Sequence, residues 1–179
     1  MPVDMSKAVL KIEDFPVGFQ VLDANAQRQL GMLPETLSQP FEGIFRQASP
    51  VTSFAFANPE AKLFEVVIGL VFYPLTHQEQ AAFDSMLENP NPTIKNFSQG
   101  FGGQAQLLAE MGKFGNASIG WTFTSTGGQT QFKGEMVMFR RENAVGLLLI
   151  MFLADQKPPA ASSMLAPILD ERIRMGLGY

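Results

Sequence analysis

Cysteine is absent from this 179-residue chain, and histidine and tryptophan occur once each. The missing thiols exclude disulfides, thiolate metal sites and cysteine nucleophiles together, although any redox compartment tolerates their absence. With a single imidazole, His77, a zinc or di-iron centre would have to be assembled from carboxylates, so no structural metal and no cofactor is expected. Charge is sparse as well: Asp, Glu, Lys and Arg make up 17% of the residues, and the net charge is −4. The 13 basic residues are dispersed, so the chain lacks the positive footprint that a phosphate backbone requires, and nucleic acid is not an expected partner. No apolar run approaches the roughly 20 residues of a membrane-spanning helix, so no transmembrane segment is expected. Residues 1–10 carry Asp4 and lack the apolar stretch of a signal peptide, which makes the cytoplasm the default expectation. No repeat, low-complexity tract or composition shift divides the chain, and residues 1–179 read as one domain.

What the sequence does hold is apolar mass that needs no hydrogen-bond partner, with 16 Phe and 10 Met against 2 Tyr. A chain of this length buries about 70% of its unfolded surface, enough for a core without staples. The pattern is clearest from 117 to 153. Over 118–125, Ile119, Trp121 and Phe123 alternate with Gly120, Thr122 and Thr124, the period of a half-buried strand. Thr126, Gly127 and Gly128 supply a turn, and 131–140 runs back as the second strand of a hairpin. Arg140, Arg141, Glu142 and Asn143 form the next tip, with Asn143 suited to the left-handed conformation a tight turn needs. Residues 144–154 carry no charge. Leu147, Leu149, Met151 and Leu153 point one way and Leu148, Ile150 and Phe152 the other, which demands cover on both faces and a central position in the sheet.

Elsewhere, 53–57 and 62–73 read as strands, the second with Phe64, Val66, Ile68, Leu70 and Phe72 on one face and Glu65 on a mixed one. Pro16 makes the lead-in from Val9 to Phe19 extended or edge-like. Asp23 caps a short helix over 24–30, and Phe41, Ile44, Phe45 and Ala48 stand at helical spacing, although a run this short fits a strand equally. Thr76 and Glu79 have capping-box spacing at the start of a helix reaching Glu88. Ile94 and Phe97 mark another helix, 104–111 reads as helical, and a last helix follows Pro158 and Pro159, with a kink or late start at Pro167.

Few residues carry chemistry. His77 could serve acid–base catalysis, though one surface histidine beside no identified partner gives a hydrolase little support. Glu79, Asp84 and Glu88 could line a calcium site but read as a solvated helix face. The run Gly100 to Gly103, placed before an expected helix at Gln104, could cradle an anion through Gly102, Gly103 and Gln104, but lacks the residues of a P-loop. Arg140 and Arg141, at an exposed tip, are candidate contacts for an acidic partner.

The stretches Gly120-Trp121-Thr122-Phe123, Met138-Phe139-Arg140-Arg141-Glu142-Asn143 and Asp170-Glu171-Arg172-Ile173, with Asp14-Phe15-Pro16-Val17-Gly18-Phe19 near the start, resemble a known superfamily. It is that of the photosystem II extrinsic P subunit and the Ran-binding nuclear import factor sharing its fold. The likeness covers roughly the last 60 residues. It implies an antiparallel sheet between helices and a family of accessory, assembly and binding proteins; with one histidine, no metal ligands carry over.

Together these readings give an α+β fold, a central antiparallel sheet of about five to seven strands flanked by helices on both faces. The function expected is that of a non-enzymatic accessory or protein-binding domain. A small apolar-ligand carrier, or an enzyme using a Phe/Met-lined pocket, is the alternative.

Overall fold

The computed structural model describes residues 2–60, 64–101, 103–108, 112–127 and 129–179. Seven strands form one antiparallel sheet: β1 (Gln20–Val21), β2 (Pro50–Asn58), β3 (Glu65–Phe72), β4 (Ala105–Leu107), β5 (Ala117–Gly127), β6 (Thr130–Arg141) and β7 (Ala144–Leu153). Their spatial order is β1-β2-β3-β7-β6-β5-β4. The uncharged β7 therefore lies in the middle, as its two apolar faces require. It bonds to β6 through a tight turn and to β3 across a long connection, with Ile68 opposite Leu149 and Met136 opposite the same leucine. The beginning of the expected 62–73 strand and the turn residue Gly128 lie outside the described residues.

Alternation along the strands separates two cores. One face collects Ile68, Leu70, Trp121, Phe123, Met136, Leu147 and Leu149 beneath α2 (Pro34–Ser38), the segment carrying Phe41 and Phe45, α3 (His77–Glu88) and α4 (Asn91–Phe101), while α1 (Ala24–Gln29) contributes no buried residue. The other collects Phe54, Phe56, Val67, Phe139, Leu148 and Ile150 beneath the N-terminal lead-in and α5 (Ser162–Gly176). The domain is thus a three-layer sandwich, and most of the phenylalanines and methionines expected to fill a core or line a pocket pack into these two layers, while Met164 and Met175 are exposed. Three glycines sit opposite phenylalanine across adjacent strands, Gly69 with Phe54, Gly134 with Phe123 and Gly146 with Phe139. In each the ring lies over the bare Cα, within 2.0–2.6 Å of where a Cβ would be, so each ring covers backbone that a larger residue would displace. The indole N–H of Trp121 is buried with no hydrogen-bond partner among the described residues, its ring edge-on to Phe97 at 5.4 Å.

Three local expectations need correction. Residues 105–107 are a strand, not helix, because Gln104 and Leu108 bond to the backbone of Thr124 and Gly120 on β5; 109–111 lie outside the described residues. Of the kink or late start expected at Pro167, the late start does not occur, since α5 begins at Ser162 and contains the proline. The proline is exposed in the second turn, near the free end of the helix, where few backbone bonds are lost. At the β6–β7 tip the positive φ falls on Glu142 (52°), not on Asn143. The Glu142 N–H is held there by Asn116 Oδ1 at 2.6 Å. No helix among the described residues is long and apolar enough to cross a membrane.

Candidate functional site

The expected site residues fall in two places. Arg140 and Arg141 end β6, and as neighbours in a strand they point to opposite faces. Arg140 reaches the α3 layer, where its guanidinium holds Asp84 with Nε at 3.1 Å and Nη2 at 2.9 Å from both oxygens. Arg141 reaches α5, donating to Asp170 from Nε at 2.7 Å and Nη2 at 2.5 Å. Asp170 also accepts the Gly115 N–H at 2.9 Å. Hydrogen bonding to Asp170 raises the Arg141 pKa further above its already high value. The tip is clamped between the two helical layers, and both guanidinium groups are engaged within the chain. On the lead-in side, Arg172 of α5 pairs with Asp14 at 2.7 Å and donates to the Val9 carbonyl. The hairpin tip thus meets α5, and α5 meets the lead-in, in contacts that hold the three together.

The Glu79, Asp84 and Glu88 face is not the solvated row expected. Asp84 is paired with Arg140, and Glu79 is only 3% exposed, accepting the N–H groups of Gln47 at 2.6 Å, Ala48 at 2.8 Å and Thr76 at 2.8 Å, and the Thr76 hydroxyl at 2.9 Å. Burial raises its pKa, but these donors outweigh that and take it down to about 2. His77 is exposed on the first turn of α3. Among the described residues, no group of three or more His, Cys, Asp or Glu side chains is placed to hold a metal.

The glycine run closes α4 and leads into a strand, so it does not stand at a helix start. Gly102 lies outside the described residues. Gly103 has a packing role, because a Cβ there would fall 1.4 Å from the Thr124 carbonyl oxygen. Only a bare Cα lets the chain cross this closely onto β5. Gly103→Ala should therefore cost about 1–3 kcal/mol, and hydrogen exchange at the Gln106 and Leu108 amides, which face β5, should rise sharply, since they are aligned by that crossing. Unchanged protection there would show that the backbone absorbs the methyl group.

Gln104, by contrast, lines a surface cleft of about 330 Å³ with Gln106, Thr122, Thr124 and Lys133. The cleft exists because α5 packs on β6 and β7 and leaves the same face uncovered over β4 and β5. The threonines that alternate with Ile119, Trp121 and Phe123 form its floor, so the half-buried reading of β5 located it. The cross-strand register fixes the spacing: Gln106 opposite Thr122, Thr122 opposite Glu135, and Thr124 opposite Lys133. Side chains on paired strands hold such spacing better than those on loops. β4 is also the last strand of the sheet. Gln104 and Leu108 bond inward, so alternation turns the backbone groups of Ala105 and Leu107 outward.

Beside this cleft the sheet presents two carboxylates to the start of α5. Glu135 accepts from Ser162 N–H at 3.3 Å and Ser162 Oγ at 2.5 Å, supplying the cap that Ala161, the residue before the helix, cannot. Glu65 is 0% exposed, and both its oxygens share one donor, the Ala160 N–H, at 3.2 and 3.3 Å. Burial, and then the Glu135 charge, push its pKa up to about 7 against the lowering effect of that donor. In sequence Glu65 was one polar residue on a mixed strand face, and nothing local indicated that the chain returns over it.

No family model and no curated protein matches this chain.

Proposed function

We propose that the protein is a non-enzymatic accessory domain that binds an extended segment of a partner protein at the open end of its sheet. The observation that carries this reading is the uncovered floor of β4 and β5, where amide and hydroxyl side chains stand at strand spacing beside an outward-turned backbone edge. Gln104, Gln106, Thr122 and Thr124 both donate and accept, which suits peptide backbone, and Lys133 adds a positive group for a carboxylate. A partner strand beside β4 would gain main-chain bonds from Ala105 and Leu107 while its side chains met the floor. The family likeness points the same way, towards assembly and binding proteins.

A photo-reactive residue placed at Gln106, and separately at exposed His77 on the opposite layer, tests this in extracts of the source cells. A discrete adduct from position 106, suppressed by excess unlabelled protein and absent from position 77, is expected. Equal labelling at both positions, or none at 106, would overturn the reading.

A further inference from the structure

The two carboxylates under the start of α5 have no role in the cleft. Glu65 has no cation among the described residues within hydrogen-bond reach, only one long and shared N–H donor, and a second carboxylate nearby. A fully buried carboxylate so poorly solvated is held more easily in its neutral form. Glu135, half-buried, accepts from a hydroxyl and an N–H of Ser162.

We infer that the leading end of α5 is a proton-held latch: while Glu65 is neutral, the connection from β7 stays closed over β3 and β6, and losing that proton loosens it. The surroundings favour this assignment. Opposite Glu65 on β2 stands Asn58, buried and uncharged. Of the charged groups on β6, Glu135 stands near Glu65, exposed Lys133 lies two strands away in the same cross-sheet row, and Arg140 and Arg141 lie at the far end of the strand. The connection carries Asp155 and Lys157, both exposed, and the first turn of α5 has no acidic residue. In the lead-in packed on this face, Asp14 is taken up by Arg172. Lys62 lies outside the described residues. Beneath the latch lie Ala160, Leu165 and Phe152, so its release uncovers an apolar seam between α5 and β7.

The direction follows from the raised pKa. The ordinary value for a glutamate is about 4.5, and burial in the closed state pushes Glu65 up to about 7. The closing advantage is complete below about pH 4.5 and is lost as the pH rises through about 7. Hydrogen exchange of the full chain at pH 5.5 and 8.5, corrected for intrinsic exchange rates, should show protection at 160–165 about 30-fold lower at the higher pH, the loss running at about tenfold per pH unit up to about 7 and levelling off above it. Protection within β7 should hold. Glu65→Gln, which fixes the neutral form, should keep 160–165 protected at both pH values. A Glu65→Gln protein with the wild-type pH loss would place the sensor elsewhere, and constant wild-type protection would remove the latch. Carboxyl-carbon NMR titration of Glu65 in the wild-type protein needs no variant: a midpoint near 7 is expected, and one near 4.5 overturns the inference.

Discussion

Reversing Arg141 to glutamate should lower the unfolding free energy by about 3–5 kcal/mol, the range found when one partner of a buried ion pair is removed and the other left uncompensated. Asp170 is the reason. Its side chain is 12% exposed and faces the Arg141 guanidinium at 2.5 Å, so the variant would set two carboxylates together beneath α5. Arg140→Glu should do less, about 1 kcal/mol, because Asp84 is 48% exposed and water screens it. An arginine that only met solvent would change stability by within about 0.5 kcal/mol. Urea unfolding of the two single variants separates these cases, and a loss for Arg141→Glu no larger than for Arg140→Glu would show that the α5 clamp is not buried in effect.

Glu79→Gln should cost about 2–4 kcal/mol. One carboxylate satisfies four donors from two segments far apart in sequence, the 47–48 turn and the start of α3. The amide offers a single acceptor oxygen, so whichever way it turns its NH2 would confront at least one backbone N–H, which accepts nothing, and each buried donor left unpaired costs about 1–3 kcal/mol. The pH dependence gives an independent check. With its pKa taken down to about 2 in the fold, Glu79 contributes stability that is present above about pH 4.5 and lost as the pH falls towards 2. Acid unfolding of Glu79→Gln should lack that part of the wild-type loss. If the two acid limbs have the same slope, the carboxylate is not the anchor of the 47–48 turn.

The local pattern of the sheet was legible because its apolar residues repeat every two positions. Ile119, Trp121 and Phe123 gave β5 its buried face and its open one, and uncharged 144–154 gave β7 its central place. The Thr76–Glu79 pair was legible as a cap, but Glu79's second task was not, since Gln47 and Ala48 contribute backbone groups that any sequence would contain. Residues 104–108 suggest helix by composition, and only pairing with β5 makes 105–107 a strand. Arg140 and Arg141 looked solvated because Glu142 stands beside them, whereas their partners Asp84 and Asp170 approach from two different layers. Glu65 is the sharpest case: its surroundings come from the return of the chain at Ala160, a long-range packing event with no local signature.

The central position of β7 also bears on how the chain is made. β3 has one neighbour, β2, from the first half of the sequence; its other neighbour is the last strand to leave the ribosome. Until Leu153 emerges, the β7-facing edge of β3 has no native partner, and the apolar residues Val66 to Phe72 wait beside an unfilled lane. The sheet can close only after β7 has been synthesised, about 80 residues after β3, which makes its closure a late and non-local event. Through that interval the nascent chain carries an open strand edge of the kind that joins other chains when it is left bare.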